Sequence, residues 1–143
     1  MKKCKFIDLN NSLVEKVREI GVEAICADYF NTALSIPGHV LMTASNPNYT
    51  LGGGLDFYFR KHFPFYCAQK QFKKTGMERI GNIVFAETVD ENLKATKEQV
   101  KKAIQFALDN IYEGETLLLS GVGTGIGGLS EETFIEILKE LTK

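Results

Sequence analysis

Eight of the thirteen glycines in this chain fall in two short loops, Leu51-Gly52-Gly53-Gly54-Leu55-Asp56 and Gly121-Val122-Gly123-Thr124-Gly125-Ile126-Gly127-Gly128. Glycine loses more backbone freedom on folding than any other residue, so this density needs a reason. Each loop follows an apolar run and precedes a helical pattern, which places both at strand-to-helix junctions. Backbone at such a junction can approach a ligand closely and present several N–H groups at a helix start, where phosphate is attracted. The competing reading is a pair of plain flexible connections.

The rest of the chain alternates in the same way. Residues 5–8, 22–27, 39–44, 83–86 and 116–120 are short apolar runs suited to buried strands. Leu13, Val17 and Ile20 recur at helical spacing ahead of Gly21. Leu55, Tyr58, Phe59 and His62 share one face of a helix that ends before Pro64, and a shorter helix is expected over about 68–74, closed by Gly76. Thr96 and Gln99 have capping-box spacing at the head of a helix lined by Val100, Ala103, Ile104, Ala107, Leu108 and Ile111, with Gly114 ending it. Ser130 caps a last helix with Phe134, Ile137, Leu138 and Leu141 on one face. Strands that are apolar throughout and alternate with helices predict an α/β fold, a three-layer α/β/α sandwich, as one domain over residues 1–143. In such folds ligands sit beyond the carboxyl ends of the strands, where both glycine loops fall.

Composition narrows the function. A net charge of -1 argues against a protein that holds nucleic acid through bulk positive charge. It leaves open a small anion held by backbone N–H groups. The three cysteines, Cys4, Cys26 and Cys67, have no metal-like spacing and read as reduced thiols. His39 and His62 have no partner at ligand spacing, so no metal is expected. Lys70, Lys73, Lys74 and Arg79 read as a solvated helix face. Asp8, Asn10 and Asn11 interrupt the N-terminus before an apolar run builds, so no signal peptide, no membrane partner and a cytoplasmic location are expected.

Two phosphate motifs are excluded. Gly123-Thr124-Gly125-Ile126-Gly127-Gly128 satisfies G-x-G-x-x-G, but the dinucleotide fingerprint also needs a following strand with an acid about 20 positions on, and no such strand follows here. No Gly-Lys-Ser or Gly-Lys-Thr occurs, so the P-loop pattern fails too.

With the loops placed, the sequence resembles the macro-domain family. Val40-Leu41-Met42-Thr43-Ala44-Ser45-Asn46-Pro47 followed by Leu51-Gly52-Gly53-Gly54-Leu55-Asp56 is similar to that family's Asn-Ala-Ala-Asn strand end and its Gly-Gly-Gly-Val-Asp loop. Gly123-Thr124-Gly125-Ile126 resembles the second loop, and Ala27-Asp28-Tyr29-Phe30 the early Gly-Asp-Ile-Thr motif. The order agrees over about residues 22–141. The run from Leu51 to Phe63 looks most like the compact branch that removes ADP-ribose from acidic side chains.

The resemblance implies a central mixed sheet and an ADP-ribose site without metal or cofactor. Asp28 would accept from the adenine amino group, or is a capping Asp. Tyr29 or Phe30 would pack on adenine, or belongs to the core. Asn46 would bond the distal ribose, or is a turn residue before Pro47. Gly52, Gly53 and Gly54, with Gly121, Gly123, Thr124, Gly125, Ile126 and Gly127, would wrap the diphosphate and distal ribose. Asp56 would orient a water for attack at the anomeric carbon, or is a favourable acid in a helix's first turn. Thr43 replaces the motif's first Asn, Gly127 stands where many members carry an aromatic clamp, and Glu87 falls where the acidic-side-chain branch has its lysine. Asp56 with Asn46 instead resembles the water-activating pair of other hydrolytic members. Three activities follow as expectations: a reader of free or protein-linked ADP-ribose, a hydrolase using Asp56, and a binder of another nucleotide or of RNA ends.

Overall fold

The computed structural model describes residues 3–35 and 38–142. Along them run β1 (Lys3–Asp8), α1 (Asn11–Glu19), β2 (Glu23–Cys26), α2 (Tyr29–Ser35), β3 (His39–Met42) and α3 (Gly54–His62). Then come α4 (Pro64–Lys73), β4 (Glu78–Ile80), β5 (Ile83–Phe85), α5 (Lys97–Asp109), β6 (Thr116–Leu119) and α6 (Glu131–Leu141). All six strands join one sheet in the order β2-β1-β6-β3-β5-β4. Every neighbouring pair is parallel except β4 with β5, so the sheet is mixed. The carboxyl ends of the five parallel strands therefore share one edge.

Side chains alternate across a strand, and the cores follow that period. Phe6, Val40, Met42, Val84, Leu117 and Leu119 point to one face, where α1, α5 and α6 cover them. Ile7, Leu41, Ile83, Phe85 and Leu118 point to the other, under α2, α3 and α4. This is the three-layer α/β/α arrangement.

The caps act locally. Asn10, Thr96 and Ser130 accept from the N–H groups of Leu13, Gln99 and Thr133. Only half of the capping box forms, because the Gln99 amide reaches the Val89 carbonyl at 2.9 Å instead of returning to Thr96. Three elements differ from expectation. Helix α4 starts at Pro64, whose ring suits a first helical turn and whose missing N–H costs nothing there. Short α2 opens where Asp28 caps it, accepting from Asn31 N–H at 2.9 Å. Strand β4 is charged and only three residues long, closed onto β5 by a tight turn in which Gly81 takes φ 61°. A Cβ at Gly81 would also come within 2.8 Å of the Tyr66 ring.

The basic cluster is solvated only in part, with Lys73 and Lys74 exposed as expected. Lys70 is fully buried rather than solvated, and Arg79 is committed to a two-pronged bond with Glu115, both N···O distances being 2.7 Å. Cys26 is exposed, Cys4 half-buried and Cys67 buried, and all three are free thiols.

Candidate functional site

Loops leaving β1, β2, β3, β5 and β6 meet at the carboxyl edge and enclose two adjoining depressions. The larger, about 850 Å³, is walled by Ala44, Asn46, residues 50–56, residues 88–89, Glu91, Leu93 and most of the second glycine loop. The smaller, about 420 Å³, is lined by Asp8, Asp28, Tyr29, Phe30, Tyr58 and His62 among others. Gly54 and Leu55 belong to both walls. Among the described residues, neither wall contains a lysine or arginine.

Among the described residues, four of the five buried polar or charged ones gather beneath this cleft: Thr43, Ser45, Asp56 and Thr88. Asp56, on the first turn of α3, is 4% exposed. Its Oδ1 accepts from Ala44 N–H at 2.9 Å and its Oδ2 from the Ser45 hydroxyl at 2.6 Å. Ser45 Oγ also lies 2.8 Å from Thr43 Oγ1. Ser45 has one proton, which goes to the carboxylate, so Thr43 donates to Ser45 and itself accepts from Ala86 N–H at 3.0 Å. Burial pushes the Asp56 carboxyl above its ordinary range, with the bonds from Ser45 and Ala44 working against that rise. Asp56 thus ties the start of α3 to the end of β3, and both of its oxygens are engaged.

Between them, residues 46–51 turn sharply. Asn46 acts as a turn residue: its Oδ1 accepts from Asn48 N–H at 3.1 Å and its Nδ2 donates to Thr50 Oγ1 at 2.8 Å. It also stands in the wall of the larger depression. Tyr49 and Leu51 take φ 50° and 53°, left-handed values that cost a bulky residue about 1–2 kcal/mol each. Beyond them α3 has no side-chain cap at Gly53. The N–H groups of Gly52, Gly53, Gly54 and Leu55 have no acceptor among the described residues.

The second loop is held from below, with Gly121 N–H donating to Asp8 Oδ2 at 2.9 Å and Leu129 N–H to Gly123 O at 2.9 Å. Gly123, Gly125, Ile126 and Gly127 keep N–H groups without acceptors among the described residues. Thr124 does not join the wall; its hydroxyl turns back to the Gly121 carbonyl. The glycines here serve two purposes. A Cβ at Gly123 would meet Val100 Cγ2 at 2.8 Å, and one at Gly127 would meet Ala95 Cβ and the Gly123 carbonyl at 2.8 Å, whereas Gly125 stands in open space. Packing of Val89 and Ala95 thus leaves no room for a side chain at 127. Gly127→Ala should lower stability by about 1–3 kcal/mol in urea denaturation, while Gly125→Ala stays within about 0.5 kcal/mol.

In the smaller depression Tyr29 is a core residue, its hydroxyl donating to the Leu118 carbonyl at 2.7 Å. Phe30 is the other aromatic of that pair, stacked on His62 with ring centroids 5.4 Å apart. Tyr58 and His62 are the accessible rings in this wall. Asp28 is exposed with one oxygen used in capping α2. Among the described residues no cluster of three or more His, Cys, Asp or Glu could hold a metal, and no helix is long and apolar enough to cross a membrane.

Sequence reasoning missed the buried Thr43–Ser45 pair and the Tyr49 anchor. The first had a readable signal: hydroxyl residues at alternate positions where an apolar strand ends. Glu87 accepts from the Tyr49 hydroxyl at 2.8 Å and so serves the loop rather than the cleft. Compared with known proteins, the chain matches no family and no curated protein.

Proposed function

We propose that the cleft binds ADP-ribose or a close derivative of it, the base in the aromatic depression and the diphosphate between the two glycine loops. One observation carries this reading: N–H groups of two separate loops, one of them an uncapped helix start, stand unpaired among the described residues along a single cleft. Orphan N–H groups at the start of α3 are an anion site, and the second loop adds a further set of free backbone N–H groups, which together suit two linked phosphates. The adjoining depression offers the exposed rings of Tyr58 and His62 to a flat ring and the second oxygen of Asp28 to an amino group. The macro-domain resemblance supports the same assignment.

Binding rather than hydrolysis is the activity this geometry favours, because both Asp56 oxygens already accept protein hydrogen bonds. Walls without lysine or arginine also weigh against a nucleic-acid backbone as ligand. Isothermal titration calorimetry with ADP-ribose, ADP and AMP tests the reading. ADP-ribose should bind at least about tenfold tighter than AMP, and its affinity should change little as salt rises, since no side-chain cation contributes. Absence of heat with all three ligands would sink the proposal.

A further inference from the structure

We infer that Gln71 on α4, which lies outside both depressions, is the positioning residue that keeps the first glycine loop in its binding conformation. The loop reaches Gly52 through two left-handed non-glycine residues, Tyr49 and Leu51, on either side of Thr50. Left alone, such a segment relaxes to ordinary φ values and carries the Gly52–Leu55 N–H groups away with it. Three restraints oppose this. Asn46 holds the turn from inside through Asn48 and Thr50. The Tyr49 and Leu51 side chains are buried, the Tyr49 hydroxyl donating to Glu87 at 2.8 Å and its ring centre lying 4.2 Å from the Lys70 ammonium. The third restraint is Gln71, whose Nε2 donates to the Tyr49 carbonyl at 3.1 Å and to the Thr50 carbonyl at 3.3 Å.

Those two carbonyls flank the peptide units on which the left-handed turn depends. A single amide bonded to both fixes their relative direction, which burial of the side chains does not. Gln71 is itself exposed and contributes little to the core, so its effect falls on the loop rather than on the fold. Apparent affinity scales with the fraction of molecules whose loop is in the competent conformation.

The inference rests on the ADP-ribose reading for its affinity arm, and its exchange arm stands without it. Gln71→Glu and Gln71→Met keep the chain length and remove both donors. In the ligand-free variants, hydrogen exchange at Tyr49 and Thr50, whose N–H groups are bonded to Asn46, should speed up about tenfold, and the dissociation constant for ADP-ribose should rise by the factor by which the competent fraction falls. The melting temperature should stay within about 2 °C of the parent. Parent-like exchange in both variants overturns the inference, as does a fall of many degrees in melting temperature, which would make Gln71 a general structural residue. If the unaltered protein fails to bind ADP-ribose, the proposed ligand falls and the exchange result alone decides the role of Gln71.

Discussion

Lys70→Met should lower the unfolding free energy by about 3 kcal/mol. Its ammonium has no contact with water, being 0% exposed. It donates to the carbonyls of Thr75 and Gly76, lies 3.1 Å from Glu78 Oε1 and sits 4.2 Å from the centre of the Tyr49 ring. Methionine fills the stem's volume but leaves the Thr75 and Gly76 carbonyls without their donor, while Glu78 loses its buried cation and keeps only the Thr75 hydroxyl and Lys73. Glu78 is 23% exposed and regains some water, which keeps the loss near the lower end of what a broken buried pair costs. Lys73, 51% exposed on the same carboxylate, is the control, and its replacement should change stability by less than about 0.5 kcal/mol. Urea denaturation at neutral pH measures both.

The pH dependence of the same site has a definite sign. Burial raises the Glu78 carboxyl, but hydrogen bonds from Thr75 and Lys70 outweigh it and hold the group below its ordinary value. Its contribution is therefore present above the ordinary carboxylate range and lost as pH falls through the lowered folded value. In Lys70→Met that acid limb of the stability curve should flatten.

What the sequence could and could not reveal follows from how local each signal is. Strand and helix identities rest on periods of two and 3.6 residues within single segments. The caps at Thr96 and Ser130 rest on residues three apart, and both were legible. Lys70 was not, because its surroundings are made by residues further on. Lys74 ends α4 in a left-handed conformation, and that bend brings the Thr75 and Gly76 carbonyls back over the ammonium. On a helical wheel such a lysine is indistinguishable from a solvated one. The glycines divide in the same way. Their density correctly marked the two loops, yet Gly123 and Gly127 are packed by Val100, Ala95 and Val89, residues far away in the chain whose proximity no local pattern encodes. Asp28 before Tyr29 and Gly81-Asn82 before β5 were readable signals for the short elements α2 and β4.

Asp56 is where local and long-range readings compete, and two substitutions separate them. Asp56→Ala should destabilise by about 1–3 kcal/mol, because it leaves the Ala44 N–H without an acceptor, whereas the Ser45 hydroxyl can turn to Thr43 Oγ1. Asp56→Asn should be close to neutral at pH 7, and a count of protons shows why. The new amide oxygen keeps the Ala44 bond. The new NH₂ donates to Ser45 Oγ, which turns its own proton toward Thr43 Oγ1, 2.8 Å away. Thr43 then releases its proton toward the Ala86 carbonyl at 3.5 Å and still accepts from Ala86 N–H. Asparagine also removes a buried charge. The raised carboxyl of Asp56 favours the protonated form in the folded state, so the ionised form costs stability as pH rises through that folded value. Above it, the asparagine variant should gain on the parent. Thermal denaturation across pH reads this directly. ADP-ribose titration of the asparagine variant then separates anchor from catalyst. An anchor filled by asparagine leaves binding intact and any turnover unchanged, whereas loss of turnover with binding preserved would make Asp56 the group that activates water.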